Sequence, residues 1–326
     1  MTILVTGATG LVGNNVIRVL LDRGQAVRVL VRKNCQPRSL AGLAVEIKLG
    51  DVRDAESVGR ACQGVSAVIH AAALVHIGWS RLEEQRAINV DGTRHVAAAA
   101  LAEHIRLAHV STVNALAIGH RDQAADENSP QAGQVPCGYV VTKREAETVV
   151  QQHVAQGLNA VIVNPGFLLG PWDWKPSSGQ MLLQVARHFT PLAPTGGTTV
   201  CDVRDVVDGL LAALERGRCG RNYILGGHPM SFRDLWRLIA EVTGGKPPWF
   251  RAGPLMRIIG ARGGDAWGRL TGREPALNSA AVKMSGQFHY HSSARAQAEL
   301  GYQIRPVRET IEAAWRWFQE HGYDPH

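Results

Sequence analysis

The sequence predicts an α/β fold: a Rossmann doubly wound parallel sheet with a smaller, mainly C-terminal substrate-binding domain. Three observations predict it. Short β-branched runs alternate with amphipathic stretches over the first half of the chain, the order expected of a parallel sheet covered by helices on both faces. A glycine-rich turn separates the first run from the first amphipathic stretch, and beyond Asn164 prolines and glycines break the alternation.

Residues 3–6 form the first strand and 11–23 the first helix, with Val12, Val16, Val19 and Leu20 as its apolar stripe. Strands follow at 26–31 and 45–49, a helix at 54–62, and a strand from 67 that leads into Ala71, Ala72 and Ala73. A long helix covers about 81–104, a strand 106–111, a polar surface loop 119–138, a helix 138–156 and a buried strand 160–163. Residues 200–214 suggest a return to the sheet followed by a helix, and 222–225 one more strand. Ser231 and Asp234 have the spacing of a capping box, so a helix starts there, and two further helical stretches end at Trp315, Trp317 and Phe318. The polar run from Arg262 to Glu274 is expected to be a surface loop between them. On this division residues 1–164 and about 198–225 make the dinucleotide-binding domain, and about 165–197 and 226–326 the substrate-binding domain.

Lys and Arg number 35 against 28 Asp and Glu, scattered among one another, with no basic arm and no zinc-finger spacing. Nucleic acid is therefore not the expected partner. Five cysteines without a C-x-x-C pair suggest reduced thiols and a cytoplasmic protein. The apolar stretch 65–79 is too short to span a bilayer, and the first residues are strand-like with no leader. His70 and His76 lack a third ligand at useful spacing, so no metal is expected.

The turn Thr6-Gly7-Ala8-Thr9-Gly10-Leu11-Val12-Gly13 stands where a strand enters a helix. Glycine there permits positive φ and close approach of a pyrophosphate, and the helix N-terminus offers free N–H groups. In Tyr139-Val140-Val141-Thr142-Lys143 a phenol and an ammonium lie four residues apart on one helical face, an arrangement in which the cation is expected to lower the phenol pKa. Ser111 and Thr112 end the preceding strand and offer two hydroxyls.

The spacing G-x-x-G-x-x-G, together with these motifs, resembles the extended short-chain dehydrogenase/reductase family, the NAD-dependent epimerase/dehydratase-like branch, over nearly the whole chain. Gly138 to Glu147 is similar to the family's Y-x-x-S-K-x-x-A-E, and Asn89-Val90-Asp91-Gly92-Thr93 to its N-V-x-G-T. Val31-Arg32-Lys33 resembles the dihydroflavonol reductases, and residues 161–165, 202–206 and 223–227 the hopanoid-associated sugar-epimerase-like bacterial proteins. The resemblance implies Thr112, Tyr139 and Lys143 as the catalytic set, Thr112 being preferred to Ser111. It implies cofactor contacts at Gly7, Thr9, Gly10, Leu11 and Val12, at Asp51 and Val52 near the adenine, and at Ala71, Ala72, Ala73 and Asn89. Further contacts are implied at Tyr139, Lys143, Asn164, Pro165, Gly166 and Phe167.

Arg32, about twenty residues beyond the glycine turn, stands where an acidic residue would hold both ribose hydroxyls; an arginine there suits a 2′-phosphate. The expected cofactor is NADP, with NAD as the alternative. Val113 and Asn114 replace the Asp-Glu of the sugar-nucleotide dehydratases, which excludes that branch. The expected function is reduction of a ketone or aldehyde. A nucleotide-sugar epimerase holding NAD tightly and a non-catalytic dinucleotide sensor are the alternatives. The expected partners are a small carbonyl or sugar-nucleotide substrate and a second copy of the chain, paired through residues 81–104 and 138–156.

Overall fold

The computed structural model describes residues 1–35, 37–272, 274–275 and 277–323. The chain runs β1 (Thr2–Thr6), α1 (Leu11–Asp22), β2 (Ala26–Val31), β3 (Glu46–Leu49), α2 (Ala55–Cys62) and β4 (Ala67–His70). Next come α3 (Leu82–Gln85), a π-helical turn (Arg86–Asp91), α4 (Gly92–Ala102), β5 (Arg106–Val110), α5 (Gly138–Ala155) and β6 (Ala160–Pro165). Then follow β7 (Phe167–Leu169), α6 (Gly179–Arg187), β8 (Leu192–Ala193), β9 (Gly197–Asp202), α7 (Val203–Arg216) and β10 (Asn222–Leu225). The last part holds β11 (His228–Ser231), α8 (Phe232–Thr243), β12 (Phe250–Arg251), α9 (Pro254–Thr271), α10 (Ser279–Ser285), β13 (Phe288–His289), α11 (Ala294–Leu300) and α12 (Val307–Glu320).

Seven parallel strands in the order β10-β6-β5-β4-β1-β2-β3 form the main sheet. Alternation along each strand feeds two cores. Val5, Val29 and Val163 meet α1 and α7 through Val16, Ile17, Val206 and Leu210, whereas Leu4, Leu30 and Ile162 meet α2, α4 and α5 through Val58, Val96 and Val150. Each such side chain contributes roughly 1.5–3 kcal/mol on burial. The strand order reverses at β1 and β4, which opens a crevice at their carboxyl ends. A second sheet, β11-β9-β13 with β7 on β9, packs with α6, α8 and α12 around Leu182, Ile239, Ile311 and Phe318.

Several expectations are corrected. β4 stops at His70, because the backbone of the next residues is drawn out of the ladder: Ala72 N meets Thr6 Oγ1, and Leu74 N donates to the Asn89 side chain. The helix expected over 81–104 is interrupted by the π-helical turn. Residues 200–202 belong to the small sheet and not the main one, so the boundary near 198 falls inside β9; an apolar strand of that length has no mark of which sheet it joins. Ser231 does cap α8, its Oγ accepting from Asp234 N.

Beyond α8 the described residues form four helices where two were expected. Residues 262–271 are helical and not a loop, and Gly264, where a Cβ would run into the carbonyl of Leu277, lets α9 lie against the backbone there, with Gly260 meeting the Leu277 side chain. Arg273, part of that same expectation, lies outside the described residues.

Candidate active site

Two constructions meet at the carboxyl ends of the central strands. The first is made of backbone. Gly7 has φ 73°, and a Cβ there would stand 2.5 Å from the carbonyl carbon and oxygen of Ala71, so only glycine lets the turn touch the end of β4. Gly10 is the N-cap of α1, with no side-chain cap and no acidic residue in the first turn. The N–H groups of that turn are left to a ligand, and a phosphate has both the donors and the positive dipole end it needs. Thr9, Leu11 and Val12 border this cradle and are partly exposed, whereas Gly13 is buried against Gly7. Ala71 and Ala72 are partly exposed beside it, and Ala73 is exposed. The residues present fit a dinucleotide pyrophosphate.

Along the same rim, Asp51 receives Arg53 through Nε at 3.0 Å and Nη2 at 2.7 Å, which holds its carboxyl below the usual range, helped by the fields of Arg53 and Arg32. Val52 is buried under Gly92 and accepts from His95. Arg32 and Lys33 are exposed just after β2. Arg38 is turned onto the Trp174 ring and donates to the carbonyl of His321.

The second construction is made of buried side chains. Tyr139 and Lys143 occupy the first turns of α5, and Ser111 and Thr112 follow β5. Extended backbone sends the two hydroxyls to opposite sides: Thr112 lies against the Tyr139 phenol, and Ser111 faces the Glu147 carboxyl. Thr112 Oγ1 also accepts from Asn114 N at 3.3 Å, capping the short turn at Val113–Ala115.

Lys143 is 2 % exposed, and its Nζ donates to the carbonyl of Val110 at 2.9 Å. Burial lowers its pKa to about 8, countered by Glu147 one turn along. The expected lowering of the phenol pKa is not what the structure gives. Burial pushes Tyr139 up to about 12, against a smaller lowering by the hydrogen bond with Thr112. The phenol is thus a proton donor throughout the neutral range.

Beneath the pair lies a polar layer that the motifs did not announce. Asn164 Nδ2 donates to Glu147 Oε1 at 2.6 Å and to the carbonyl of Thr112 at 3.0 Å, and Asn222 donates to Glu147 Oε2 at 3.1 Å. Burial raises the Glu147 pKa against these donors. His70 joins Thr6 at 2.7 Å to Thr93 at 3.1 Å, and its ring lies 5.4 Å from that of His109. Both imidazoles are kept neutral, chiefly by burial and then by Lys143; His70 falls to about 3. The signal available for Glu147 was its place four residues after Lys143. Nothing in the sequence pointed to His109 or Asn222.

The Asn89 and Asn164 side chains each join an internal network. The Asn89 amide is spent on Leu74 and Thr142, pinning the 71–74 segment to α5, and the Asn164 amide on Thr112, Glu147 and Asn222. Pro165 is buried, and Gly166 and Phe167 are partly buried, Phe167 against the core around α6 and α8. Tyr139 packs into an apolar cluster of Ile77, Val135, Val140, Ala280 and Met284.

Residues 3–226 match the model of the NAD-dependent epimerase/dehydratase family. The chain belongs to that family. It is similar to a dihydroflavonol 4-reductase-like protein of Synechocystis sp., 33 % identical over 98 % of this chain and 95 % of the relative. It is also similar to sterol demethylase protein B of Methylococcus capsulatus, 32 % identical over 99 % of both chains. Among solved structures, that of gox2253 superposes with a TM-score of 0.86 at 35 % identity, covering 98 % of each chain. Family membership makes the protein an NAD(P)-dependent enzyme of the oxidoreductase, epimerase and dehydratase group.

Proposed function

We propose that the protein is an NADP-dependent reductase that converts a ketone or aldehyde to an alcohol, with Tyr139 as general acid. The observation that carries this is the Tyr139 phenol, held protonated by burial, beside the Thr112 hydroxyl and packed in an apolar cluster. When bound, the reduced nicotinamide supplies the hydride. Thr112 and Tyr139 hydrogen-bond the carbonyl oxygen, and Tyr139 gives it a proton as negative charge develops there. Lys143, fixed on the Val110 carbonyl one turn along α5, returns a proton to the phenolate once its own has left. Arg32 meets the 2′-phosphate, which favours NADP over NAD. The names of the Synechocystis and Methylococcus relatives support an apolar ring system as substrate over a sugar nucleotide.

One observation favours a second reading, an epimerase of nucleotide-activated sugars. A cavity of about 420 Å³ is lined by Arg121, Arg251, Ser231 and Tyr290 together with Asp122 and Asp234, and its two guanidinium groups offer a diphosphate a partner beside the two carboxylates. Mixing the protein with NADPH and a panel of aryl, alkyl and sugar-derived carbonyl compounds separates the two. A reductase consumes the reduced cofactor in proportion to substrate. No consumption with any carbonyl, together with NAD retained through purification, identifies the epimerase.

A further inference from the structure

Helix α9 is amphipathic the wrong way round. Its 18 residues include none that is buried. The face turned to the protein is Arg257, Gly260, Ala261, Gly264, Asp265 and Gly268, small or polar residues that are partly covered. Asp265 fixes that face by accepting from Ser279 N at 3.0 Å. The outward face carries Leu255, Met256, Ile259, Trp267 and Leu270, between 49 and 84 % exposed. At 100° per residue these five fall within an arc of about 120°, a continuous apolar stripe.

A stripe of this size facing water marks an interaction site, and its surroundings say which kind. Arg262 and Arg269 are exposed along one edge of the stripe. Lys246 and Arg251 precede the helix, and Trp249 and Phe250 between them are 62 and 65 % exposed. The single acidic residue between 246 and 272 is Asp265, already engaged with Ser279. Apolar and aromatic side chains rimmed by cations, without free acids, complement a layer of acyl chains beneath anionic headgroups.

We propose that the outer face of α9 docks on an anionic lipid bilayer, lying in its surface. No helix among the described residues is long and apolar enough to cross a membrane, and none is needed for this attachment. The site lies next to the candidate active centre. α10, packed on α9, places Ala280 and Met284 in the apolar cluster around Tyr139, and Asn278 Nδ2 holds the carbonyl of Ile77 at 2.7 Å. Docking would therefore bring the apolar cluster around Tyr139 near the bilayer. The inference does not depend on which reaction the enzyme performs.

Flotation of the full-length protein with vesicles tests it. With phosphatidylcholine and phosphatidylglycerol together the protein should float with the lipid and show a blue-shifted tryptophan emission. With phosphatidylcholine alone, or in high salt, it should largely remain below. Ile259→Ser, Trp267→Ser and Leu270→Ser combined should abolish flotation while leaving NADPH affinity and melting temperature unchanged, because all three side chains face solvent. Arg262→Gln and Arg269→Gln should each weaken partitioning about fivefold. Absence of flotation with the anionic vesicles, or equal flotation of the triple variant, overturns the proposal. So does a lipid-free dimer of the native protein that the triple variant converts to a monomer, since a second copy then covers the face.

Discussion

The phosphate cradle after β1 and the Tyr139 cluster after β5 stand at the same edge of the same sheet, built from opposite materials. The cradle is backbone: Gly7 pressed on Ala71, a first turn of α1 with no side-chain cap, and no ionisable side chain in the turn. The cluster is side chain: Lys143, Glu147, His70 and His109, all removed from water and each with a shifted pKa. Backbone dipoles are fixed by the fold and carry partial charge at little desolvation cost, which suits a permanent anion site. Side chains can exchange protons, and burial sets which form they hold. The cradle is suited to holding a ligand and the cluster to transforming one.

The sharpest way to break this contrast is Tyr139→Phe. Turnover should fall by roughly 10²–10⁴, the usual size of a general acid contribution, with cofactor affinity within a few-fold of native. A Phe variant that keeps its rate would mean that the proton comes from another group.

A smaller effect is expected at the far end of the cofactor. Arg32→Asp should weaken NADPH binding by about 10- to 150-fold, the equivalent of the roughly 1.5–3 kcal/mol of a charge-assisted hydrogen bond, with little change for NADH. Titration of both cofactors into both proteins measures it, and equal native affinities would remove Arg32 from phosphate selection.

These two residues also show what was legible in the sequence and why. The cradle could be read because glycine spacing records a backbone requirement directly, and Tyr139 and Lys143 because four residues on a helix fix their face. The order of the main-sheet elements followed from alternation. What could not be read was desolvation: the phenol was expected to be acidified by Lys143, and the structure gives the reverse because burial of the ring dominates. Asn89 and Asn164 sit in cofactor motifs, yet their amides are consumed by loop and network contacts that depend on distant partners such as Thr142 and Asn222. The C-terminal part was least legible. In α9 the polar run from Arg262 suggested a loop, and the structure makes it helix, with Gly264 in close contact with the backbone of Leu277.

Within the cradle, Gly7 and Gly10 separate folding from binding. Gly7→Ala places a Cβ in left-handed backbone and against Ala71, so it should lower stability by at least about 1–2 kcal/mol, seen as a melting temperature several degrees lower. Gly10 has extended φ, and its nearest neighbour to a new Cβ is Gly7 O at 3.4 Å. Gly10→Ala should therefore fold like the native protein and lose cofactor affinity. Equal melting losses in the two variants would show that the turn is structural at both positions.

The smallest effect tests whether burial of an ionisable group away from the chemistry costs stability. Asp173 is 3 % exposed in the aromatic cluster of Trp172, Trp174 and Trp317, and burial alone raises its pKa to about 7. Below the unfolded value, near 3.8, both states hold the proton and the group has no effect on stability. Between about 4 and 7 the folded state binds more protons than the unfolded state, so stability falls as pH rises through that window and stays reduced above it. Asp173→Asn keeps the shape and removes the ionisation. At pH 8 the variant should melt several degrees above the native protein, and at pH 4 the two should nearly coincide. An offset that is the same at both pH values would mean that packing around Gly179, and not the buried charge, distinguishes them.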